Sequence, residues 1–169
     1  MKPFHLLYIT LAFLTCTTSF ADNSQGARLG VGVNYFVALD DIDTDDIDDD
    51  GFSYILTYKN QGAGLIGFQV DLELLPELFA EDAYAPAAYV ILGSGLYIAA
   101  GVGILNIDGD WAEDPFFAFK AGLDLALTSN LSVDLGASYR FDSELDLDDA
   151  VDGIDTDTVF LGGAVRWAF

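Results

Sequence analysis

The chain has 169 residues, 52% of them hydrophobic, with 6 basic and 28 acidic side chains and a net charge of −22. That balance excludes nucleic acid as a partner, because phosphate binding needs Lys and Arg. Mean hydropathy is nonetheless positive, at +0.35, so the charge must be segregated along the chain.

The first element is an export signal. Lys2 gives the positive start, Leu6 to Leu14 the apolar middle, and Ser19-Phe20-Ala21 a small-x-small cleavage site. Residues 1–21 are read as signal peptide and residues 22–169 as one barrel domain. A lipoprotein reading at Cys16 is the weaker one, since Thr15 stands where a smaller residue is usual. Cleavage removes the only cysteine, Cys16, the only histidine, His5, and Lys2, taking the charge to −23. The mature chain then has no disulfide and no imidazole base for a serine such as Ser132 or Ser138, so no enzymatic role is expected. No apolar run approaches the ~20 residues of a membrane-spanning helix.

Eight alternating segments follow, at 28–39, 51–60, 64–75, 87–93, 96–106, 116–127, 131–142 and 158–169. Period-two alternation marks strands with two unlike faces. Most segments have the ~9–11 residues a tilted strand needs to cross a bilayer. Short turns at Asn60–Ala63, Gly93–Gly95 and Thr128–Asn130 alternate with long loops at Asp40–Asp50, Pro76–Pro86, Ile107–Pro115 and Ser143–Asp157. Turns at one end and loops at the other suit an all-β, eight-stranded, antiparallel up-and-down transmembrane β-barrel.

One face of the strands is large and apolar: Leu29, Val31, Val33, Tyr35 and Val37 in the first, Leu96, Ile98, Ala100, Val102 and Ile104 in the fifth. The other face is small and sparingly charged, which is poor composition for contact with water. It suits the narrow interior of an eight-strand barrel. Lys59, Lys120, Arg140 and Arg166 all fall on this face, Arg28 sits at a strand start, and no basic residue after the leader falls on the apolar face. Buried charge needs partners, and the small face also carries Asp71, Glu73, Asp124 and Asp134. These eight residues are expected to form a lumenal ion network, either a gate for conduction or a plug of compensated charge. Aromatic belts are expected on the apolar face. Tyr35, Phe52, Tyr54, Tyr89, Phe117, Phe119, Tyr139 and Phe141 lie on the loop side; Tyr58, Trp167 and Phe169 lie on the turn side.

The stretch Asp40–Asp50 and the stretch Asp142–Asp157 hold eight acids each. Asp46, Asp48 and Asp50, followed by Gly51, match the first half of an EF-hand loop, but Thr57 stands where the bidentate Glu belongs. Loose association of Ca²⁺ or Mg²⁺, shared with lipopolysaccharide phosphates, is one expectation. Dense like charge that simply keeps the loops solvated is the other. No organic cofactor is expected. Gly101-Val102-Gly103 and Gly162-Gly163 lie in strands with no following helix, so they are not phosphate loops.

The last segment runs Val165-Arg166-Trp167-Ala168-Phe169 and ends on an aromatic. With the signal peptide and eight alternating segments, this resembles the small bacterial outer-membrane β-barrels of the OmpA/OmpX type. The resemblance departs from outer-membrane protein A in having no peptidoglycan-binding domain after strand eight. It implies an outer-membrane location, contact with lipid and lipopolysaccharide, escort by periplasmic chaperones and insertion by the barrel-assembly machinery as a monomer. Trp167 and Phe169 would then be the assembly signal. Deletion of Phe169 is expected to lower the amount of folded protein in outer-membrane fractions, and normal insertion of the shortened chain would refute that role. Three functions follow: a structural or surface-interaction barrel with acidic outer loops, a narrow channel for small solutes, and an enzyme, the last opposed by the missing histidine.

Overall fold

The computed structural model describes residues 26–38, 50–62, 64–78, 81–141 and 157–169. Residues 1–25, which include the expected signal peptide and cleavage site, and Asp46 and Asp48 lie outside the described residues, as do most of the expected first and last loops. Eight long strands dominate: β1 (Gly26–Ala38), β2 (Asp50–Gln61), β3 (Ile66–Leu78), β4 (Glu81–Gly93), β5 (Leu96–Gly103), β8 (Phe116–Ala126), β9 (Leu131–Phe141) and β10 (Thr158–Ala168). Two short strands, β6 (Asn106–Ile107) and β7 (Asp110–Trp111), form a small ribbon between β5 and β8. All pairings are antiparallel between neighbours, and β10 returns to pair with β1 from Arg28↔Ala168 to Ala38↔Thr158. The sheet therefore closes into a barrel and leaves no long edge unpaired.

Alternation decides which residues meet inside. Leu29, Val31, Val33, Leu56, Val70, Leu72, Val90, Ile98, Leu135, Leu161 and Val165 are exposed on the outside. Arg28, Thr57, Lys59, Gln69, Asp71, Glu73, Asp124, Asp134 and Arg166, their opposite-parity counterparts, are buried. The greasy wall is outside and the polar residues are inside, the reverse of a water-soluble barrel.

The turns are built by local chemistry. Gly93 adopts φ +114°, donates its N–H to Leu65 O at 2.7 Å and accepts from the Gln61 side chain. At 128–131 the Thr128 hydroxyl accepts the N–H of Leu131 at 3.1 Å and of Asn130 at 3.3 Å, a local side-chain turn.

Three expectations are corrected. The stretch 76–86, expected as a loop, is mostly strand: β3 runs to Leu78 and β4 starts at Glu81. The two prolines that bound this stretch, Pro76 and Pro86, sit where a missing N–H costs little. Pro76 coincides with a register shift between Leu75 and Leu78. Pro86 O accepts the N–H of Ile104 at 3.1 Å, and the N and O of one strand residue face the same way. Its nitrogen therefore points to the side where β5 has just ended.

The second correction is inside 107–115, also expected as a loop. Asp108 (φ 51°) and Gly109 (φ 97°) are both left-handed, as a two-residue hairpin turn of the Asp-Gly kind requires. The hairpin joins β6 to β7, and β6 pairs with β4 through Ala83↔Ile107 and Tyr84↔Asn106. The fifth segment accordingly ends at Gly103, short of the expected 106.

The third concerns Tyr89, expected in the outer aromatic belt. It is buried in the lumen, while Tyr84 and Trp111 stand outside at the loop end. Starting the fourth segment at 87 hid the alternation Ala83, Ala85, Ala87, Tyr89, Ile91 that points inward.

Candidate functional site

The lumen is layered. Towards the loop ends of the strands lie Phe36, Leu75, Ala83, Phe116 and Phe160, with Leu105 and Ile107 of the β5–β6 segment packed against them. Below this apolar layer, all five basic residues of positions 22–169 point inward.

At the turn end, Asp124 draws three cations together. Lys59 Nζ donates to its Oδ2 at 2.8 Å, Arg28 Nη1 reaches its Oδ1 at 3.4 Å, and Arg166 Nη1 stands 3.9 Å away. Arg28 also donates to Ser132 Oγ at 2.9 Å. Arg166 bridges upward, donating to Asp134 Oδ2 at 2.6 Å and to Gln69 Oε1 at 3.1 Å. Tyr97 OH donates to the other oxygen of Asp134 at 2.9 Å.

Higher, Lys120 pairs with Asp71, whose oxygens also accept from Gln69 Nε2 at 2.9 Å each. Higher still, Arg140 and Ser53 donate to Glu73, which also accepts from Asn34 Nδ2 at 2.8 Å. Lys59, Asp71, Glu73, Lys120, Asp124, Asp134, Arg140 and Arg166 thus form one axial series of ion pairs. Sequence reasoning set Arg28 only at a strand start and did not single out Tyr97, Gln69, Asn34 or Ser53. The inward parity of those residues was the signal that could have found them.

The cations rest on aromatic rings. Lys59 Nζ lies 4.4 Å from the Tyr97 ring centre and Lys120 Nζ 4.3 Å from that of Tyr89. Arg140 lies 4.0 Å from Phe160 and 4.8 Å from Phe116. Such contacts stabilise by about 0.5–2 kcal/mol each.

Each ring under Lys59, Lys120 and one side of Arg140 has a glycine directly opposite on the next strand: Tyr97↔Gly122, Tyr89↔Gly101, Phe116↔Gly103. A methyl on Gly101 would sit 2.3 Å from Tyr89 Cδ1 and 2.5 Å from Ala88 O. On Gly122 it would sit 2.6 Å from the Tyr97 hydroxyl. The missing side chain lets the ring lie against the neighbouring strand, and the flattened ring gives the cation its seat. Gly101→Val is expected to destabilise the barrel by about 1–3 kcal/mol through this overpacking. Thermal unfolding should show the loss, with Gly62→Ala, where added bulk meets nothing within 4 Å, as the unaffected control.

Among the described residues a mid-lumen cavity of about 40 Å³ is lined in part by Asn34, Thr57, Tyr97, Asp134, Ser138 and Arg166. Asp50, the described member of the candidate metal triplet, is exposed at the start of β2 and accepts a hydrogen bond from Tyr35. Among the described residues no three carboxylate, histidine or cysteine side chains cluster as a metal site. Trp167 and Phe169 project outward at the turn end, 57% and 80% exposed.

No family model matches this chain, and no curated protein does. Solved structures do. Neisserial surface protein A superposes with a TM-score of 0.66 at 16% identity, over 86% of this chain and 98% of that one. The fold is that of the small outer-membrane β-barrels. The N-terminal β-barrel domain of Pseudomonas aeruginosa OprF matches with a TM-score of 0.54 at 12% identity, covering 86% and 98%. At such identities the likeness extends to the eight-strand barrel and not to loops or ligands.

Proposed function

We propose that the chain is a sealed, non-enzymatic outer-membrane barrel whose task lies at its acidic outer surface rather than in transport. The observation that carries this reading is the layered lumen. Its carboxylates are matched to inward cations, and the loop end is covered by Phe36, Phe116, Phe160, Leu105 and Ile107. Apolar constrictions of this kind exclude water and ions.

The surface reading rests on charge. Among positions 22–169, acids outside the lumen and beyond Asp22 all belong to the loop end, where there is no Lys or Arg. A barrel so equipped repels polyanions at short range. Divalent cations are then the ligands its carboxylates would take, and lipopolysaccharide phosphates would be reached through such bridging ions. Loop acids also hold the aromatic belt, since Tyr35 donates to Asp50 and Tyr139 to Asp157. The lipid-facing wall would keep the protein a monomer in the outer membrane.

Planar-bilayer recording tests the sealed lumen against the narrow channel. The purified barrel is expected to give no discrete conductance steps. A steady single-channel conductance that Arg140→Ala alters would favour the channel.

A further inference from the structure

The β6–β7 hairpin extends the sheet beyond β4, and its register builds a short row across three strands. Tyr84 of β4 stands opposite Asn106 of β6, and Asn106 stands opposite Trp111 of β7. Directly opposed residues of an antiparallel ladder project from the same face. That face is the outward one, because Ala83 and Ala85 on either side of Tyr84 are buried and Ile107 beside Asn106 packs on the lumenal core. The row therefore reads ring, amide, ring.

Its exposure is uneven. Tyr84 and Trp111 are 43% and 59% exposed, whereas Asn106 between them is 7% exposed. Among the described residues no hydrogen bond engages the Asn106 side-chain amide. Such an amide offers an oxygen acceptor and two N–H donors, and leaving them unmet when nearly buried is costly. Two strand spacings set the flanking residues about 9.5 Å apart. A cation seated over Asn106 would lie about 5 Å from each ring, inside the ~6 Å reach of a cation–π contact.

Charge selects the ligand. The segment 104–115 carries Asp108, Asp110, Glu113 and Asp114, all exposed, and no Lys or Arg. Phosphates and other anions are repelled there, and organic cations are drawn in. The two rings favour a cation that also carries hydrocarbon.

We propose that the Tyr84–Asn106–Trp111 row binds a linear aliphatic polyamine. One ammonium would donate to Asn106 Oδ1 between the rings, methylenes would lie along Tyr84 and Trp111, and the remaining ammonium groups would meet the hairpin carboxylates. This site goes beyond the surface reading above and does not depend on the lumen being sealed.

The test is Trp111 emission from the folded full chain in uncharged detergent micelles, in a Trp167→Phe background that leaves Trp111 as the single tryptophan. Spermidine, titrated at constant ionic strength, is the probe. A saturable change is expected, retained in Tyr84→Phe, weakened about 5–30-fold in Tyr84→Ala and about tenfold in Asn106→Leu. Tyr84→Ala trims an exposed side chain and leaves the fold intact, so it decides the matter even where Asn106→Leu fails to fold. Mg²⁺ should not reproduce the change. If it does, the carboxylates act alone as a divalent surface and the amine site is refuted. Absence of a saturable change, or native affinity in Tyr84→Ala, would overturn the site as well. So would quenching of Trp111 by brominated lipid in vesicles with no response to spermidine, since the ring would then be a membrane-boundary anchor.

Discussion

Asp124→Ala should cost the barrel about 3–5 kcal/mol of unfolding free energy, the penalty for removing one member of a buried ion group. Three cations converge on this carboxylate, with Lys59 at 2.8 Å and Arg28 at 3.4 Å. All are nearly inaccessible to water, so none can recover its hydration when the carboxylate goes. Equilibrium urea unfolding in detergent or lipid vesicles measures the effect. Two companions sharpen it. Asp110→Ala, at an exposed ribbon position, should lie within about 0.5 kcal/mol of the native chain. Lys59→Met combined with Asp124→Leu should be closer to native than Asp124→Ala alone, because it removes both charges instead of stranding one. If Asp124→Ala unfolds like the native barrel, water must reach this group freely, and the sealed lumen fails with it.

The barrel was legible in the sequence because the two faces of its strands differ so sharply. A strand such as 131–141 alternates Val133, Leu135, Ala137 and Tyr139 with Ser132, Asp134, Gly136 and Ser138, and period-two geometry turns that into inside and outside. Where the faces are alike, period two carries no signal. In β4, Ala83, Tyr84, Ala85, Pro86, Ala87 and Ala88 hardly alternate in polarity, so the pattern alone does not mark the strand's upper half. Its partner's firm pattern, Asp71 to Leu75, carries it: β3 supplies the register Leu72↔Pro86 and Leu74↔Tyr84 that β4 alone does not specify. The Asp108-Gly109 pair is a local hairpin signal in the sequence.

Partner choice inside the lumen was beyond reach for a different reason. Inward parity says which charges share the interior, but pairs such as Lys59–Asp124 and Arg140–Glu73 join strands that are not neighbours. Their meeting depends on the stagger accumulated around the closed sheet. The glycine–aromatic–cation stacks have the same origin. Gly101 is unremarkable until the β4–β5 register sets it opposite Tyr89.

The outward wall supplies the other large effect. Val31 lies near the middle of β1, is 64% exposed and pairs with Val165 and Leu56, both also outward. In a bilayer that position sits near the midplane, where an arginine costs about 2–4 kcal/mol, falling to about 0–1 kcal/mol near the interfaces. Val31→Arg is therefore expected to destabilise the vesicle-embedded barrel by about 2–4 kcal/mol. Leu65→Arg, equally exposed at 64% but in a turn, should be near neutral. The gradient between them is the diagnostic, because a barrel surrounded by water would show none. There, arginine at Val31 would relieve an exposed apolar patch and cost little. Equal stabilities for the two variants in vesicles would mean that hydrocarbon does not touch this wall. The polar interior would then lack the apolar surroundings that make inward charge and outward grease a stable arrangement.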